Sequence, residues 1–88
     1  MILKVFTVYD SKVEAFLPPF FMKSKGEAVR GFTEVCNDSK SNFFKYPEDY
    51  TLFEVGSFDD ATGKFDLHKT LVSIGLGVEF KKVADAKA

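Results

Sequence analysis

The sequence predicts a small α+β domain, an antiparallel sheet of four to five strands with one packed helix in ββαβββ order. Three observations carry that expectation. Segments rich in Val, Ile, Phe and Tyr, several alternating with a period of two, lie at both ends of the chain. A capping-box signature followed by apolar residues at helical spacing separates them. An Asp-rich, Gly-terminated turn joins two of the C-terminal segments as a hairpin. At 88 residues there is room for one domain with one modest core, predicted over residues 1–80, with a frayed tail over 81–88.

Residues 2–9 are apolar on both faces apart from Lys4 and Thr7, as expected of a strand inside a sheet. Asp10-Ser11-Lys12 offers turn chemistry, and residues 13–17 return antiparallel until Pro18-Pro19 removes two successive backbone donors. Ser24 and Glu27 match the capping box, in which a hydroxyl and a carboxylate satisfy free amides at a helix start. Ala28, Val29, Phe32, Val35 and Cys36 then form one apolar stripe, and Asn37-Asp38 is the predicted stop. Gly26 and Gly31 each cost about 1 kcal/mol of helix propensity against Ala, so this helix must depend on packing. Residues 38–49 form a polar loop interrupted by Phe43, Phe44 and Tyr46, long enough for a short helical turn before Pro47. Residues 50–58 read as a third strand, Asp59 to Gly63 as a hairpin loop, and residues 64–68 as a fourth strand. Over residues 71–80, Val72, Ile74, Leu76, Val78 and Phe80 alternate with Ser73, Gly75, Gly77 and Glu79, predicting a fifth. Within it, Gly75 and Gly77 point to a bulge or a close backbone approach, from this chain or a second subunit.

Composition narrows the function classes. With 45% hydrophobic residues, eleven Phe and three Tyr, the chain is too apolar for disorder. A core this small, with no disulfide network or metal site to reinforce it, favours self-association, so a homodimer is expected. The net charge of −1 argues against a strong grip on phosphates, although a local basic patch is compatible with it. Cys36 is the single cysteine and requires no oxidising compartment. Met1-Ile2-Leu3-Lys4 lacks the pattern of a signal peptide, and no apolar run approaches the roughly 20 residues of a membrane span. The expectation is a soluble intracellular protein with no membrane contact.

No residue group makes a persuasive catalytic or metal site. Gly63-Lys64 resembles the end of a phosphate loop, but Phe58 and Phe65 stand where that motif requires Gly and Ser or Thr. Asp59, Asp60 and Asp66 do not have calcium-loop spacing and suit a turn. His68, the only histidine, has no second ligand or nucleophile in a recognisable pattern. Cys36 on the apolar helix stripe reads as a small buried hydrophobe. The chain is therefore expected not to be an enzyme and to need no cofactor.

The candidate binding surface is Lys40-Ser41-Asn42-Phe43-Phe44-Lys45-Tyr46, where Lys40 and Lys45 are interleaved with Phe43, Phe44 and Tyr46, rings able to stack on unpaired bases. A related patch comes from Phe20, Phe21, Lys23 and Lys25. The competing reading places Phe20, Phe21, Phe43 and Phe44 in the core or a subunit interface, leaving the lysines to solubilise the loop.

The segments Met1 to Asp10, Pro18-Pro19-Phe20 and Tyr46 to Phe65 resemble the small nonstructural protein of gokushoviruses, single-stranded DNA phages of the Microviridae. The most specific piece is Pro47-Glu48-Asp49-Tyr50 followed by Gly56, Phe58-Asp59 and Thr62-Gly63. These residues define shape and carry over no catalytic role. The resemblance implies a protein made in the cytoplasm of the infected bacterium and absent from the capsid, acting in genome replication or in single-strand synthesis and packaging. Its expected partners are single-stranded DNA or, in a dimeric interaction module without DNA contact, a viral or host replication or capsid assembly protein.

Overall fold

The computed structural model describes residues 1–81. Its sheet is built on β1 (Ile2–Asp10), whose two edges are both occupied. On one side lie two short strands, β2 (Ala15–Phe16) and β3 (Phe20–Met22). On the other lies β4 (Tyr50–Asp59), followed at the sheet edge by β5 (Lys64–Leu76). Every pairing is antiparallel, in the order β2-β1-β4-β5 with β3 also on β1. The α+β class, the antiparallel sheet and the interior position of the first strand agree with the sequence reading, but the five strands run βββαββ rather than ββαβββ, because Phe20–Met22, read only as the chain beyond the Pro18-Pro19 bend, pairs with β1 before the helix.

Helix α1 (Lys25–Cys36) runs where the capping box predicts. Ser24 Oγ accepts from the Glu27 amide at 3.2 Å, while the Glu27 carboxylate takes the Lys23 amide at 3.0 Å, one residue before the cap. Asn37 ends the helix; its side-chain amide donates to the carbonyls of Thr33 and Phe80. Two short turns follow, α2 (Asn42–Lys45), capped by Ser41, and a 3-10 turn over Pro47–Asp49. The helical turn expected before Pro47 is thus present.

The core is the contact between α1 and one face of the sheet. Phe6, Val8, Tyr50 and Leu52 meet Ala28, Phe32 and Cys36, with Phe43 and Phe80 closing the ends. Three local readings need correction. The strand expected over 13–17 is paired only at Ala15–Phe16, because residues 11–14 turn and Glu14 takes a left-handed φ of 58°. The strands expected over 64–68 and 71–80 are one strand, Lys64–Leu76. Gly56 opposes Leu67 and Glu54 opposes Val72, so Val55 faces residues 68–71 across a wide bulge; the polar break in the sequence is that bulge. The strand also stops at Leu76, and α3 (Gly77–Phe80) coils back so that the Phe80 ring reaches Phe32 at 5.3 Å.

Both expected roles of the C-terminal glycines are seen, within this one chain. The register shifts beside Gly75, and a Cβ on Gly77 would collide with the Pro47 carbonyl. The expected frayed tail lies outside the described residues from 82 onward. Lys81 is anchored: its amide bonds Gly77 O, and its ammonium donates to Phe44 O at 3.0 Å.

Candidate nucleic-acid interface

The predicted loop divides between core and surface. Ser41 starts α2 and turns Phe43 inward, where its ring lies 5.6 Å from Phe32 and 4.3 Å from Tyr50. Phe44 is half-buried beneath the Lys81 ammonium, 4.0 Å from the ring centroid. Phe20 likewise packs inward, 5.8 Å from Phe6. Lys40, Lys45 and Tyr46 are exposed, as are Lys23 and Lys25. The two lysine groups stand at opposite ends of α1, whose twelve residues span about 18 Å.

Tyr46 instead borders a cleft of about 370 Å3 shared with Asp10, Lys12, Asn42, Asp49 and Tyr50. Asp10 is nearly buried and accepts from the Lys12 amide at 3.0 Å. Burial pushes the Tyr50 phenol above its ordinary pKa, and the Asp10 and Asp49 carboxylates push it further the same way.

The larger concentration of rings is on the sheet face turned away from α1. Residues opposite one another on neighbouring strands share a face, so the register places Tyr9 with Phe16, Thr7 with Phe53, Val5 with Phe21, and Leu3 with Phe58 and Phe65. Ring contacts agree. Phe16 lies 4.7 Å from Tyr9 and 6.0 Å from Phe53. Phe58 lies 5.6 Å from Phe21 and 4.8 Å from Phe65. Among the described residues all helical segments pack on the other face, as the contacts of Phe32, Phe43 and Phe80 show. Phe16 is therefore 50%, Phe21 41%, Phe65 54% and Leu67 59% exposed.

Sequence reasoning missed this face for a definite reason. Phe53 and Phe58 are five residues apart, which simple alternation assigns to opposite faces. The bulge at Val55 adds one residue and brings both to the same side. The available signal was the recurrence of rings at positions 9, 16, 21, 53, 58 and 65, but only the register unites them.

Chemically the face can stack and exclude water. The Nε2 of His68 meets Glu54 Oε2 at 2.7 Å. No group of three His, Cys, Asp or Glu among the described residues could hold a metal ion. No helix among them is long and apolar enough to cross a membrane.

The fold and site define a small α+β domain that shields one sheet face with helices and leaves an aromatic layer on the other. The chain belongs to the Phage ORF5 protein family, which matches residues 3–80. It is 34% identical over 64 residues to Protein ORF5 of Chlamydia phage 1, spanning 68% of this chain and 67% of that protein. No solved structure matches it.

Proposed function

We propose that this phage accessory protein is nonenzymatic and acts on viral single-stranded DNA, during genome replication or single-strand synthesis and packaging, in the cytoplasm of the infected bacterium. The observation that carries the reading is the aromatic face of the sheet, left uncovered by the helices. Unpaired bases stack on such rings at about 1–3 kcal/mol per base, whereas a duplex keeps its bases stacked internally and offers mainly phosphates. Phosphates would find little here, since the net charge is −1. A preference for single strands with modest affinity follows.

Fluorescence anisotropy with a labelled 20-nucleotide single strand and the matching duplex, each at low and physiological salt, tests this. Saturable binding of the single strand, at least tenfold tighter than the duplex, is expected. Absence of binding to either at about 100 μM protein, already the range of nonspecific affinities, would remove DNA as the ligand. The same rings would then serve the competing reading, a homodimeric module that recruits a replication or assembly protein.

A further inference from the structure

Resting on the single-strand reading above, we infer that the uncovered face is a stacking platform holding about four nucleotides laid along β1, with affinity supplied by rings rather than by phosphate contacts. The dimensions come from the register. One ring group sits at the Tyr9 and Thr7 level of β1, the other at the Val5 and Leu3 level. From Leu3 to Tyr9 the strand advances about 20 Å, which accommodates about four nucleotides, the low end of single-domain sites.

The kind of surface exposed favours this ligand over a second copy of the chain. At about 200 Å2 for a whole phenylalanine, the half-exposed Phe16, Phe21 and Phe65 together with Leu67 leave on the order of 400 Å2. A stable protein interface needs about 800 Å2 per partner. Somewhat more than half of such an interface is apolar, so area does not choose between the two occupants; the planar rings, which match the planar faces of bases, favour the single strand.

Charge around the platform is sparse. Lys64 precedes Phe65 and Lys23 stands two residues after Phe21, while Lys12, three residues past Tyr9, lines the Tyr46 cleft; all three are exposed. Nearby carboxylates offset them. Asp60 is held by the Met1 ammonium at 2.8 Å, Asp59 accepts from the Ala61 amide, and Asp66 and Glu14 are exposed. At most three phosphates are neutralised, giving a slope of log affinity against log salt no steeper than about −2. Because rings contact base faces and leave base edges and sugars unread, base sequence and the 2′-hydroxyl carry little weight.

The experiment measures anisotropy for oligothymidylates of two to twelve nucleotides, with oligouridylate as the sugar control. The proteins are the wild type, Phe16→Leu, Phe65→Leu and a Lys40→Ala, Lys45→Ala double variant. Leucine keeps the apolar surface and removes the stack, and circular dichroism checks that each variant is folded. Affinity should rise steeply up to about four nucleotides and then only gently. Each leucine variant should lose five- to a hundredfold, and the lysine pair less than threefold. Binding of the twelve-nucleotide strand that ignores both leucine variants, or a salt slope near −4 that falls by about 1.4 in the lysine pair, would overturn the platform while leaving single-strand binding standing. Failure to bind any length overturns both.

Discussion

Cys36 shows how much the core constrains one atom. Its side chain is fully buried among Phe6, Phe32 and Leu52, and burial pushes the thiol from 9.0 up to about 11. A thiol whose folded pKa is raised contributes stability that is intact below about 9 and is lost as pH rises towards 11, because the unfolded chain ionises first. The denaturation midpoint of the wild type should therefore fall more steeply between pH 8 and pH 10.5 than that of Cys36→Ala. Tyr50, also raised, contributes the same slope to both proteins. Equal slopes would mean that the thiol is solvated in the folded state. Phe6, fully buried on the helix face, and Phe65, half-exposed on the other, are equally apolar in the sequence. Composition therefore marks both for the core, and only burial separates the ring that holds the fold from the ring free to meet a ligand.

At the scale of elements, the irregularities of β4 and β5 decide where function can reside. Gly56 sits where β5 swings inward, so that an added Cβ would overlap the Asp66 carbonyl oxygen and crowd Leu67 Cα. Both neighbours are backbone and cannot rotate away. Gly56→Ala is expected to destabilise the domain by more than about 2 kcal/mol, and chemical denaturation would measure it. The loss should exceed that of Gly63→Ala, where the left-handed φ of 75° costs roughly 1 kcal/mol but no atom lies near. A smaller loss at Gly56 than at Gly63 would place the bulge elsewhere. Element types were legible because each rests on local chemistry: the Ser24 cap, the Asp59-to-Gly63 turn, the strand alternation. Merger of two expected strands into β5 was not, since a bulge is a relation between strands. Nor was the end at Leu76, where the Glu79 carboxylate accepts the Leu76 amide at 3.0 Å and Phe80 turns into the core, overriding the alternation.

For the molecule as a whole, the sheet has two unlike faces. The first contributes stability: helices α1 to α3 cover it and consume Phe20 and Phe43, while Lys81 covers part of Phe44. From sequence the β1 pattern, apolar on both faces, reads as burial on both sides. That is half of what the fold shows, since Val5 and Thr7 are buried on the second face beneath rings rather than beneath a helix. Whether the 43–46 loop is exposed was open from the sequence; in the fold Lys40, Lys45 and Tyr46 are exposed while Phe43 packs inward. What was out of reach was which rings share a face, because that is settled by pairing between segments some forty residues apart.

On the proposed reading, single-stranded DNA lies on the second face of the sheet rather than on the 40–46 loop. Titrating the 15N-labelled protein with a hexathymidylate and following amide shifts would show which surface is occupied. The largest changes should cluster on Val5 to Tyr9, Phe16, Phe21, Phe53, Phe58 and Phe65 to Leu67, with those of residues 40–46 small. Shifts confined to residues 40–46 and the start of α1 would contradict it.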